Sequence, residues 1–265
     1  LNQPGNLAYC EIKPRRLASH FHFSKIYIYI LNRFCMPIKK TILLVSLITV
    51  VANSFSQVML PVARNIRPAY EKGTRSADGR PGKNYWQNTA DYDLKIFFDP
   101  KTRDVKGTVT IDYTNNSPDT LKQVWFKLYP NLYKLASAGT GRIDSADIGR
   151  GVTIHQFTGN GTAIKESDRP VNGTNMPVSI PPLAKGEHIS FYIEWSYVLN
   201  KGSHIRTGEI EPGAAFVAYF FPRIAVYDDI DGWNRYPYNG NLEFYNDFCH
   251  FKAAITVPSS QVVWA

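Results

Sequence analysis

Few residues of this chain are of a type and spacing that could do chemistry. Downstream of residue 57 the histidines are His155, His188, His204 and His250. A mononuclear zinc hydrolase needs three protein ligands and an open position, and helical sites commonly use H-E-x-x-H. No two of these histidines share ligand spacing, and Glu187–His188 runs into Ile-Ser-Phe at the start of a strand-like stretch. There is no Gly-x-Ser-x-Gly elbow and no phosphate loop. The sequence therefore offers no catalytic residue and no metal ligand set of its own.

Two smaller groupings call for weighing. Asp228, Asp229 and Asp231 lie within four residues, which suits a hard cation with oxygen ligands. They lack calcium-loop spacing and a terminal bidentate Glu. Before Gly232 they read as turn-forming residues whose carboxylates bond nearby amides, with a binding or domain-contact role and a cation site as the alternatives. Cys249 adjoins His250, but neighbours in a strand point to opposite faces, so the pair is not read as a nucleophile and base. Cys249 is expected to be a buried structural residue. Asn115, Asn160 and Asn172 each open an Asn-x-Ser/Thr triplet, a weak signal in Asn- and Gly-rich loops.

The elements that must position anything here are strands. Tyr92, Leu94, Ile96 and Phe98 alternate with polar residues, and Val105, Val109, Ile111 and Tyr113 resume the alternation after a turn at residues 99–102. Val124, Phe126 and Leu128 form a third strand after Asn115-Asn116-Ser117-Pro118, and the three are expected to form a meander. A short strand at residues 152–157 follows. Val178 and Ile180 then lead through a Pro-Pro-Leu-Ala-Lys-Gly bend into Ile189, Phe191, Ile193 and Trp195. No stretch keeps a helical period. The fold class is mostly β: an antiparallel saddle- or sandwich-like domain, preceded by a signal-peptide helix and a flexible linker. Trp125, Trp195, Phe191 and Tyr92 are expected in its core. Tyr219, Phe220, Phe221, Trp233, Tyr236 and Tyr238 are interrupted by Pro and Gly and keep no strand period; they suit a buried domain seam or a ligand wall.

The leader explains the charge. Met36, Lys39–Lys40, a 12-residue apolar run at 41–52, and Ser54 and Ser56 before Gln57 form a signal-peptide pattern over residues 36–56. The apolar run is shorter than the roughly 20 residues of a membrane span. Residues 1–35 are read as an over-extended N-terminus, and 57–84 as a linker with order beginning near Tyr85 and Trp86. The formal charge is +8, but residues 1–57 hold seven of the 30 basic residues and one of the 22 acidic ones. The remainder is nearly balanced, and a nucleic-acid partner is not expected. Cys10 and Cys35 fall in the leader, leaving Cys249 alone and unable to form an internal bridge. Export to the periplasm, cell surface or medium is expected, with no stable membrane span after cleavage.

Three blocks together resemble the N-terminal domain of the aminopeptidase N-like zinc metallopeptidases, the gluzincin aminopeptidase family. The first is YWQNTADYDLKIFFDPKTRDVKGTVTIDYTNNSPDTLKQVWFKLYPN at 85–131. The second is MPVSIPPLAKGEHISFYIEWSY at 176–197. The third is Phe221–Pro222 followed by FYNDFCHFKAAITVPSSQVVWA, in which Asp247, Phe251, Ile255, Val257 and Pro258 fit the family's order.

The resemblance covers residues 85–265. It implies a β domain that covers a thermolysin-like catalytic domain, with zinc and the H-E-x-x-H motif in that second domain. The strand-like run ending at Trp264 and Ala265 is accordingly expected to belong to the front part of a larger protein. Its partners would be a peptide substrate and the C-terminal catalytic domain, and the chain alone would be non-catalytic. Glu211 lies nearest the family's acidic or amide position for the substrate's free amine; Gly213 occupies the other candidate position. The family's Pro-Cys-Phe-Asp-Glu-Pro run is missing, and residues 223–243 intervene between Phe-Pro and the Asp247 strand. The alternative is a self-contained secreted β-sandwich that binds a ligand or serves a structural role.

Overall fold

The computed structural model describes residues 61–134, 143–202 and 206–264. The over-extended N-terminus (1–35) and the signal peptide (36–56) expected from sequence lie outside them. The strands are β1 (Thr89–Asp99), β2 (Asp104–Thr114), β3 (Leu121–Lys127), β4 (Thr153–Gly159), β5 (Thr162–Ala163), β6 (Asn175–Leu183) and β7 (His188–Val198). There follow β8 (Gly208–Glu211), β9 (Ala214–Phe216), β10 (Arg223–Ile224), β11 (Tyr227–Asp228), β12 (Gly232–Trp233) and β13 (His250–Thr256). The protein is mostly β, as its alternating sequence requires.

Six strands form one sheet in the order β13-β1-β2-β7-β4-β5, and three form another in the order β10-β3-β6. β8–β9 and β11–β12 are separate two-stranded ribbons. Among the named strands all pairings are antiparallel except β1 with β13, which run parallel with Tyr92 opposite Phe251 and Ile96 opposite Ile255. Every second residue of β1 from Ala90 to Ile96 is buried, matching the period of two.

The expected meander is not formed. β2 pairs along its length with β7, while β3 leaves for the other sheet and pairs with β6. The reason lies in the 115–118 turn, which crosses between layers rather than folding back. The Asn115 side chain donates to the Asp119 and Leu183 carbonyls, and Ser117 donates its hydroxyl to Asn115 Oδ1. The return crossing, from β6 to β7, runs beside it: Asn115 N–H donates to Glu187 O and Gly186 N–H to Asn115 O. Asn115 is thus a fully buried turn residue, which accounts for its triplet without any surface role.

The core fills the space between the two larger sheets. Phe126 of β3 meets Phe157 of β4 and Phe191 of β7 edge-on, each at 5.3 Å between ring centroids. Val105, Val109, Ile111, Phe126, Phe191 and Trp195 are wholly buried. Such non-directional burial is the main driving term of folding. Tyr92 ties the layers with a polar bond as well, its hydroxyl accepting from Ile224 N–H at 3.1 Å. Gly107 sits where a Cβ would run into the Lys95 carbonyl, so β1 and β2 can be this close only with glycine there.

Order reaches further back than the expected linker. Residues 67–71 form a short helix, α1 (Arg67–Glu71), whose Ala69 is fully buried, and Thr74 and Arg75 bond Asp229. Pro68 stands at the helix start, where its missing N–H costs nothing. The polar stretch 75–83 looked featureless because its partner lies some 150 residues away.

Candidate functional site

The aromatic run from Tyr219 to Tyr238 divides in two. Phe221 and Trp233 join the core, and Tyr236 is exposed. Tyr219 and Tyr238 instead meet Tyr129 and Phe244 around a cavity of about 20 Å³. Tyr129 packs edge-on against Phe244 at 4.7 Å, Tyr238 at 5.3 Å and Tyr219 at 5.6 Å. Phe244 stacks on Tyr238 at 4.5 Å and on Tyr219. The Arg206 guanidinium lies 5.8 Å from the Tyr219 ring and 5.9 Å from Phe244, while its Nη2 bonds Glu243 at 2.8 Å. A cation held over ring faces gains from their quadrupoles.

Local structure explains how these rings converge. Tyr129 opens a 3-10 turn at Tyr129–Tyr133 that follows directly on β3. Tyr219 has φ +51°, a left-handed conformation that non-glycine residues seldom adopt. Tyr197 projects from the end of β7 to the same cavity, and among the described residues neither its buried hydroxyl nor that of Tyr238 has a partner. Burial pushes the Tyr197 and Tyr129 phenols up and holds them neutral.

An adjoining cavity of about 170 Å³ is lined by Lys127, Tyr129, Tyr236, Tyr238, Glu243 and Tyr245, among others. Lys127 is 3% exposed. Its ammonium donates to Asn175 Oδ1 at 2.8 Å, Asn234 Oδ1 at 3.0 Å and the Tyr236 carbonyl at 2.8 Å. Burial lowers the ammonium from 10.5 to about 8. All three partners are neutral.

A third concavity, of about 530 Å³, lies along the six-stranded sheet over Gly107 and includes His155, Glu194 and Ser196. His155 Nε2 meets Ser196 Oγ at 2.7 Å. A nucleophile activated this way needs the base oriented by a third group on its other nitrogen. Among the described residues no such bond to His155 Nδ1 is formed, and the pair is a surface contact.

The Asp cluster is both turn and contact. Asp228 Oδ1 accepts from Ile230 and Asp231 N–H in the β11–β12 ribbon, and Asp229 pairs with Arg75. Among the described residues no three His, Cys, Asp or Glu side chains come together as a metal site. Cys249 is half-buried rather than fully buried; its thiol donates to Asp247 O at 3.3 Å, and burial pushes its pKa up, away from reactivity. His250, on the opposite face, is exposed and bonds Asp91. Glu211 ends β8 beside the β8–β9 turn, exposed, and lines none of the three cavities.

Tyr129, Phe244 and Lys127 were not singled out from the sequence. Tyr129 stands next to Pro130, which marked only a strand end. Lys127 sits on the polar parity of an alternating strand, a position that normally faces water.

No protein-family model and no curated protein matches this sequence. Among solved structures, it is similar to an M1 zinc metallopeptidase from Deinococcus radiodurans at 16% identity, covering 68% of this chain and 35% of that one, with a TM-score of 0.37. A two-domain M1 zinc metallopeptidase variant bound to L-arginine aligns over the same shares at 18% identity and TM-score 0.37. Yeast LTA4 hydrolase in complex with bestatin aligns at 11% identity, over 76% of this chain and 27% of that one, with a TM-score of 0.34. The chain thus spans about a third of the length of the bacterial enzyme (35%). At these scores the likenesses carry no argument about function; only the chain's own residues do.

Proposed function

We propose that this chain is the N-terminal β domain of an exported, aminopeptidase-type zinc metallopeptidase, and that it walls the peptide cleft without performing the chemistry. The observation that carries the reading is how the three resembling blocks assemble. The first supplies β1, β2 and β3, the second β6 and β7, and the third β13. β1 lies between β2 and β13 in the six-stranded sheet, and Phe221 of the Phe-Pro pair packs on Tyr92 at 5.7 Å and Phe251 at 6.0 Å. Segments that resemble one domain in sequence thus converge on one another.

In this reading the partner is a catalytic domain carrying zinc, whose bound water attacks the peptide carbonyl. This domain's residues bind and orient. The adjoining cavity of about 170 Å³, walled by Tyr129, Tyr236 and Tyr238, receives a substrate side chain, and Glu211 on the β8–β9 ribbon offers its carboxylate to the substrate's ammonium. Export places the protein in the periplasm, on the cell surface or outside the cell.

The reading frame beyond Ala265 tests this most directly. A downstream H-E-x-x-H with a distal Glu ligand is expected; a stop codon directly after Ala265 overturns the proposal. In the full-length enzyme, Glu211→Ala should raise KM for peptides with a free amine and leave amine-blocked peptides unaffected. An unchanged KM retires Glu211. A second reading, a self-contained binding module, is favoured by the cavity of about 170 Å³ that Lys127, Tyr129, Tyr236, Tyr238 and Tyr245 line from within one chain.

A further inference from the structure

We propose that Lys127 is the positioning residue of the aromatic wall, a buried ammonium that clamps residues 234–238 onto the end of β3 and β6 and so sets where Tyr236 and Tyr238 stand. The inference rests on the reading of that wall as a binding surface, but the clamp itself is testable apart from it.

The geometry is specific. Lys127 is the last residue of β3, the central strand of its sheet, opposite Asn175 on one side and Arg223 on the other. Its three ammonium hydrogens are matched by three oxygens, two of them, Asn234 Oδ1 and Tyr236 O, on the clamped segment. Neighbouring bonds fasten the same segment: Asn175 Nδ2 donates to Arg235 O at 2.6 Å, and Tyr238 N–H donates to Thr174 Oγ1 at 2.7 Å. Asn234 N–H still donates to Val226 O at 2.8 Å, continuing the β11–β12 ribbon, but residues 235–238 belong to none of the described strands, and these side-chain bonds hold them instead.

A charged amine suits the task better than a neutral side chain. Hydrogen bonds from an ionised donor are about twice as strong as neutral ones, and only an ammonium supplies three donors on one atom. The ionisable groups around it are Arg223 on β10, Arg235 on the segment, and Glu243, Tyr129, Tyr236, Tyr238 and Tyr245 around the cavity. Neither the Glu243 carboxylate nor any of these phenols bonds the ammonium. Lys127 therefore gains from oriented dipoles alone, and the segment's carbonyl and amide oxygens must stay in place to hold it. Position of the wall and protonation of the clamp are coupled.

Lys127→Met in the full-length protein is the test. Amide exchange at Asn234 and Tyr238, whose N–H groups bond Val226 O and Thr174 Oγ1, should be about tenfold faster or more, one charge-assisted bond being worth at least a decade, while β1, β2 and β7 keep their protection. In the unmutated protein the ring NMR signals of Tyr236 and Tyr238 should move with pH through a midpoint near 8, and Lys127→Met should abolish that step. Unchanged exchange at Asn234 and Tyr238, or a pH step that survives the substitution, overturns the proposal. Should Lys127→Met fail to fold, Asn234→Ala removes one acceptor from the segment while leaving the lysine, and the same exchange measurement decides. Phenylalanine amide serves as a binding probe. If it binds neither form while the clamp results hold, the wall is not a binding surface and the clamp still stands.

Discussion

Arg75 grips Asp229 through two hydrogen bonds, Nε to Oδ2 at 2.9 Å and Nη2 to Oδ1 at 2.6 Å, across 154 residues of chain. Thr74 adds its hydroxyl to the same carboxylate. The Asp229 side chain is 3% exposed and that of Arg75 37%. This pair joins the segment that begins with α1 to the β11–β12 ribbon.

Breaking it from the arginine side strands a buried carboxylate. Arg75→Ala should cost about 1–3 kcal/mol, less than a fully buried pair because the arginine is partly in water. Arg75→Ala with Asp229→Asn should recover part of that loss. Urea unfolding of the three variants checks this; a double variant as weak as the sum of the singles would show that the pair does not interact.

The same pair sets an acid limb. Burial pushes the Asp229 carboxyl up, but the bonds from Arg75 and Thr74 and the guanidinium's charge outweigh it, and the net shift is downward from 3.8. A carboxylate lowered in the folded state adds stability that is complete above its unfolded value and is lost as pH falls through the folded one. Stability should therefore decline below about pH 4, and Asp229→Asn should flatten that decline. An identical acid limb in the variant refutes the assignment.

Lys127 has the opposite consequence on the alkaline side. Its value falls from 10.5 to about 8 on folding. Above 8 the unfolded chain still carries the proton and the folded one does not, so stability rises with pH from about 8. The buried tyrosines, Tyr92, Tyr113 and Tyr197 among them, are raised by burial and turn the trend downward above about pH 10. Denaturant unfolding between pH 8 and 10 should show a positive slope that Lys127→Met removes.

Tyr197 carries a buried hydroxyl with no partner among the described residues. Tyr197→Phe removes an unmet polar group while keeping the ring, and should raise stability by about 1 kcal/mol. Thermal unfolding checks the sign. A marked drop in Tm would mean that the hydroxyl is bonded in solution.

Gly107 and Gly161 should respond differently to alanine. Gly161 has φ +76° but open space where a Cβ would go, so Gly161→Ala costs only the left-handed conformation, about 1–2 kcal/mol. Gly107→Ala drives a methyl into the Lys95 carbonyl between β1 and β2 and should cost more than about 2 kcal/mol. Equal losses would mean that the sheet can part at Gly107.

Strand positions and the inward parity of Tyr92, Val109, Ile111, Phe191 and Trp195 were legible because alternation is a local signal that burial enforces. Sheet partnership was not. The turn at Asn115 and Ser117 has ordinary turn composition, and only its buried side-chain bonds send β3 to the other layer. Lys127 was hidden for a related reason: parity assigns it to water, and residues 234–238 cover it from more than 100 positions away. The aromatic run reads as one patch in sequence because composition does not say which rings a left-handed Tyr219 turns toward Tyr129.

The parallel pairing of β1 with β13 has a consequence for how the chain comes into being. His250 and Asp91, bonded across that pair, are 159 residues apart. A parallel ladder cannot close through a tight turn, so β1 keeps one open edge from the moment it is synthesised until residues 250–256 emerge. Closing so long a loop before its contacts repay the entropy makes the step slow. Until it is taken, the nascent domain presents an unprotected strand edge, the kind of surface through which folding intermediates associate.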